Sequence, residues 1–265
     1  MGNEIQTENL VPRSPSFLTL VTKTFAGLGG GIIGVVILLA IFLGASTILQ
    51  PAFNPQELGE EVASKNPLFI FVFMAMIFLT SLAANMIGSL FFTYADHEKY
   101  SRRSTAIYQI FFINLVTFFI LAPIYILLDA RGMMNVVGFL AGFHVLITAT
   151  ASAMVLEVIG NLRYALVGIY GVILSVVSST AVIMGMYELS GHNVTIVLFS
   201  TLPVVWMALG FVSVISEMFY HWIWTIYGTD FLRSTMDYGR DYGEPEVEDT
   251  PPPPDVSGAE FLEKK

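Results

Sequence analysis

Six long apolar runs, almost free of charge, dominate this sequence, and each is long enough for a helix to cross a bilayer. A hydrocarbon core about 30 Å thick requires roughly 20 mostly apolar residues per helix. The runs are Phe25–Leu49, Leu68–Phe92, Ala106–Leu128, Met133–Val155, Tyr164–Tyr187 and Val194–Ile215, the last staying apolar as far as Tyr227. Membrane-barrel strands show short alternating patterns, whereas these runs are continuous, so helices are expected. The fold class is therefore all-α, a polytopic six-helix membrane bundle. A cytoplasmic segment over 1–24 precedes the membrane domain at 25–227, and an acidic, proline-rich, disordered cytoplasmic tail over 228–265 follows it.

Composition agrees. The chain is 55% hydrophobic and only 12% charged, about half the charge density of a soluble domain. Its net charge of −9 gathers in the tail, where Pro251–Pro254 sits among Glu244, Glu246, Glu248, Asp249 and Asp255. Such a stretch cannot bury enough apolar surface to fold, and its proline run should be a stiff spacer. No basic face suggests nucleic acid. With no cysteine, disulfides, thiolate metal sites and cysteine nucleophiles are excluded.

The connections carry turn and loop signals. Gln50–Asn66 contains Pro51, Pro55 and three glutamates, Asp129–Gly132 is a tight turn, and Gly160-Asn161 and Gly191 end helices. Short loops force successive helices to run antiparallel. Orientation follows from the basic residues. With the N-terminus inside, ten of the 12 Lys and Arg residues fall on the cytoplasmic side (Arg13, Lys23, Lys99, Arg102, Arg103, Arg163, Arg233, Arg240, Lys264 and Lys265), leaving Lys65 and Arg131 opposite. Both termini are thus expected in the cytoplasm of an integral protein of the plasma (inner) membrane. The first run is long for a signal peptide and is read as a retained span.

Polar groups inside a membrane are costly and mark the residues of interest. The substrate-pathway candidates are Asn85 in the second span, Asn114 in the third, His144, Thr148 and Ser152 on one face of the fourth, and Glu217 with His221 late in the sixth. Small residues form stripes: Ala26, Gly30 and Gly34; Ala84 and Gly88; Gly138 and Gly142; and Gly168, Gly171, Ser175, Ser178 and Ser179. These stripes are expected to pack helices closely, and the His144–Thr148–Ser152 face of the fourth span is expected to meet the Gly and Ser stripe of the fifth. His144 should be neutral and structural, hydrogen-bonded to Asn114 or to a serine of the fifth span. Glu217 should lie at the cytoplasmic interface beside the aromatic belt of Phe219, Tyr220, Trp222, Trp224 and Tyr227. Were Pro203 the effective start of the span, it would sit deeper and pair with His221 or His144. Glu157 and Arg163 should form an interfacial ion pair. The run Asp96-His97-Glu98-Lys99 is expected to be a solvated loop rather than a metal site.

No zinc-protease, serine-hydrolase or Walker motif is present, no aspartate lies deep in a span, and no lysine is expected within one. No catalytic residue, metal or cofactor is therefore assigned, and an enzyme is disfavoured. The leading functional reading is a membrane subunit of a transport or translocation system, with a hydrophobic or uncharged cargo less demanding than ions. The alternative is a non-catalytic scaffold or assembly factor. Its protein partner would bind the C-terminal tail or the small-residue helix faces, within the lipid bilayer.

Overall fold

The computed structural model describes residues 14–53, 68–97, 99–100, 102–160 and 165–227. All regular structure among them is helical: α1 (Phe17–Gly44), α2 (Ser46–Phe53), α3 (Phe69–Ala95), α4 (Arg103–Ala130), α5 (Met134–Val155), α6 (Ala165–Leu189) and α7 (Val194–Tyr227). Six are long and apolar enough to span a membrane, α2 being the short exception. The 228–265 tail lies outside the described residues.

Local chemistry sets the helix ends. Ser16 caps α1, its hydroxyl accepting from the Thr19 amide at 3.1 Å, so the helix begins at Phe17 and not at Phe25. That start carries Lys23 into the first turns of the helix, where the sequence places it ahead of the span. Gly132 and Gly191 adopt φ of 68°, which costs glycine nothing, and they turn the chain between α4 and α5 and between α6 and α7. Asn193 caps α7, accepting from the Thr195 amide at 3.0 Å. That helix runs unbroken through Pro203, so Val194 is its start and Glu217 falls late in it.

The bundle has an inner and an outer set. Helices α3, α5 and α7, which run in the same direction, are the most buried of the spans, while α1, α4 and α6 show more surface to lipid. Helix α1 packs against α3 and α7, α4 against α3 and α5, and α6 mainly against α7. Glycines permit the closest approaches. A Cβ at Gly30 would lie 2.6 Å from Gly88 Cα, and one at Gly34 would lie 2.7 Å from Ala84 Cβ. Gly31 sits against the Pro203 backbone and Gly27 against the Trp206 carbonyl.

The expectation that the fourth and fifth spans present their stripes to each other is not met. The Gly168, Gly171, Ser175 and Ser179 face of α6 is buried and Gly171 abuts Ser213 of α7, while Ser178 is exposed. The α5 stripe turns instead toward α3 and α4. A short turn makes two helices adjacent, but it does not decide which faces meet when a third helix offers a better fit.

Candidate functional site

The α5 stripe and a matching one on α3 form a polar column through the inner bundle. Ser81, Asn85 and Ser89 recur at i, i+4 and i+8 on α3, and His144, Thr148 and Ser152 do so on α5. All six are fully buried. The stripes join at Ser81 and Thr148, whose hydroxyls share a short hydrogen bond. One turn along, Asn85 donates to Asn114 Oδ1 of α4 at 2.7 Å, and Asn114 donates to Ser152 at 3.0 Å. Trp206 of α7 donates its indole N–H to Asn85 Oδ1 at 3.2 Å. Four helices thus meet on one asparagine pair. Thr148 and Ser152 also donate back to the carbonyls of His144 and Thr148, the usual way a hydroxyl is satisfied inside a membrane helix.

His144 does not bond Asn114 or a serine, as the sequence suggested. Its Nδ1 lies 3.5 Å from the Tyr125 hydroxyl of α4, and its ring faces Phe118 at a centroid distance of 6.5 Å. His144 Nε2 is buried and has no hydrogen-bond partner, as do the hydroxyls of Thr80 and Ser89. Unpaired buried polar atoms are uncommon enough in folded proteins to need an explanation.

At one end of the column lies a buried ionic cluster. Lys99, from the α3–α4 connection, bridges Glu157 (2.8 Å) and Glu217. Tyr100 donates to Glu157 Oε1 at 2.6 Å and accepts from Lys23 Nζ at 3.3 Å. Lys23 also pairs with Asp96 at 3.6 Å, both side chains being almost wholly buried, and its ammonium stands 5.2 Å from the Tyr100 ring centroid. Burial disfavours the charge on Lys99, but Glu157 and then Glu217 outweigh it and hold its pKa well above the ordinary value. Burial, then the Glu157 carboxylate, push the Tyr100 phenol well up.

Two expectations are corrected here. Asp96 and Lys99 do not belong to a solvated loop, because the chain folds inward after Asp96 and seats Tyr100 against Gly160. Glu157 is no ordinary surface ion; it sits in a π-helical turn, Leu156–Gly160, that ends α5, with its partners Lys99 and Tyr100 below. Arg163 and Glu98 lie outside the described residues. Glu217 takes Lys99, and its carboxyl is largely covered. Phe219 and Trp222 beside it are more than half exposed. His221 is one turn further along α7 and partly buried.

Lys23, Asp96, Lys99, Tyr100 and the α3 hydroxyls Ser81 and Ser89 join the site without standing among the sequence candidates. The α3 stripe has the same four-residue spacing as the α5 stripe and was detectable on that basis. Gly168 was assigned to packing, yet the space a side chain would fill there is occupied by the Glu157 carboxylate. Among the described residues no group of three or more His, Cys, Asp and Glu is arranged to hold a metal. No protein-family model, no curated protein and no solved structure matches this chain.

Proposed function

We propose that this protein is a membrane transport or translocation subunit, and that the column through α3, α4, α5 and α7 is its substrate pathway in a closed state. One observation carries the reading: buried polar side chains continue at every turn of α3 and α5 from the ionic cluster to His144. Helix packing alone is served by small residues, as at the α1–α3–α7 contact, and does not need a polar line along the bundle. Ionisable and amide groups within membrane helices belong by default to substrate paths. The candidates Asn85, Asn114, His144, Thr148 and Ser152 are then pathway residues. Glu217, with Lys99 and Glu157, closes one end, with His221 just outside. The basic-residue asymmetry supports placing that end, and both termini, on the cytoplasmic side of the plasma membrane.

The scaffold reading has one observation in its favour, since most column side chains are satisfied by one another. The chain's lack of cysteine allows a direct test. Single cysteines at Ser81, Thr148 and Ser152 are exposed, in vesicles, to a small water-soluble methanethiosulfonate reagent. A pathway that opens admits the reagent, and all three positions label within minutes. Labelling no faster than at a cysteine in the lipid-facing position Phe119 would leave the scaffold as the reading.

A further inference from the structure

The proposed pathway changes character along its length, and the change bears on cargo. All its charged groups lie in the cluster at one end. From Glu157 to His144 the α5 stripe advances 13 residues, about 20 Å at 1.5 Å per residue. Over that distance the column holds Ser152, Asn114, Asn85, Ser81 and Thr148, none of them charged. An ion at mid-membrane is costly unless a fixed opposite charge or a shell of ligands receives it, and no charged side chain lines this stretch among the described residues. Protons are also poorly served. A relay needs groups that accept a proton at one atom and release it from another. Asn85 and Asn114, in series at 2.7 Å, carry amides that do not titrate near neutral pH, and taking a proton at oxygen while losing one from nitrogen would leave the unstable imidic acid, so they interrupt a relay. What such a stretch suits is a solute that exchanges hydrogen bonds without carrying charge.

His144 supplies the place to dock it. Its side chain is fully buried, its Nδ1 is engaged with Tyr125, and its Nε2 has no partner. A neutral imidazole with one nitrogen so occupied presents a single hydrogen-bonding atom at the other.

We infer that the cargo is a small uncharged solute rich in hydrogen-bonding groups, of the polyol or urea type. It docks on His144 Nε2, and the Ser81–Thr148 and Asn85–Asn114 pairs are its next stations. This inference rests on the transport reading above, and its test is separable from that one. Purified protein is reconstituted into liposomes, and stopped-flow light scattering follows entry of urea and of glycerol. A parallel set, loaded with a pH-sensitive dye and clamped with potassium and valinomycin, follows protons.

The expected result is entry of urea or glycerol well above that of protein-free vesicles, with no proton flux above that background. His144→Leu lowers entry about tenfold, the order expected for a lost buried hydrogen bond that also strands a partner. His144→Gln, which keeps a donor and an acceptor, retains much of it and serves as the folded control, checked by size exclusion. Proton flux without solute entry would overturn the inference, as would solute entry indifferent to His144→Leu. In either case cysteine labelling of the column would still uphold transport. No flux of any kind together with an unlabelled column would sink both.

Discussion

Lys99 Nζ lies 2.8 Å from Glu157 Oε2, a contact made across 58 residues of sequence, and Gly168 is what makes room for it. The Glu157 carboxylate occupies the volume that any side chain at position 168 would take. Gly168→Ala should therefore act as a Glu157 variant by pushing the carboxylate off Lys99. Breaking a buried pair on one side is strongly destabilising, about 3–5 kcal/mol. Gly168→Ala and Glu157→Gln should each lower the melting temperature in detergent, and the double variant should be little worse than the more damaging single one. Fully additive losses would show that the two residues act separately.

Alkaline pH should weaken the same cluster. The ordinary values are 10.5 for lysine and 10.0 for tyrosine, and both Lys99 and Tyr100 are shifted upward in the folded protein. Above about pH 10 the unfolded chain therefore releases protons that the folded state retains, so stability falls as pH rises. Below that range both groups are protonated in either state and contribute no slope. Tyr100→Phe removes one of the two retained protons. Melting curves should show a shallower decline above about pH 10 for Tyr100→Phe than for the parent, and parallel declines would remove this account of the cluster.

The limits of the sequence reading follow from which interactions are local. A span depends on the hydropathy of consecutive residues, and a four-residue stripe depends on helical period, so the six spans and the His144–Thr148–Ser152 face were legible. The glycine stripe of α1 was legible as a packing face for the same reason. The ionic cluster was not, because Lys23, Lys99, Glu157 and Glu217 come from four segments that meet only when the bundle forms. The start of α1 was obscured because Thr19, Thr22, Lys23 and Thr24 dilute its first turns. Pro15-Ser16 before Phe17 was the available signal, a capping residue ahead of an apolar pair. The partner of the α6 stripe is not legible in the sequence, because closeness along the chain does not decide which helix faces meet.

Orientation rests on charge asymmetry and can be read directly. Reporter fusions at residues 60 and 190 should report outside, and fusions near residue 100 and after residue 240 should report inside. The assignment puts the Lys23–Asp96–Lys99–Glu157–Glu217 end of the bundle in the cytoplasm. A single fusion reporting from the other side would break the alternation that six spans impose. A wholesale inversion would keep the fold and turn the cluster outward.

The glycine contacts allow a comparison with an internal control. At Gly30 a Cβ would come within 2.6 Å of the Gly88 backbone, and at Gly171 within 2.9 Å of Ser213 Cα, whereas at Gly185 nothing lies within 4 Å. In the first two cases the obstruction is backbone or its adjoining Cα, which cannot rotate away, so helices must separate. Overpacking of this kind costs about 1–3 kcal/mol, and at Gly30 it would also draw α1 away from α3, which carries the Ser81–Asn85–Ser89 stripe. Gly30→Leu and Gly171→Leu should therefore melt several degrees below the parent in detergent, while Gly185→Leu, facing open space in α6, should melt with it. The pattern matters more than any one value. Equal losses at all three sites would mean that leucine harms these helices for reasons unrelated to close approach, and the packing account would then fail.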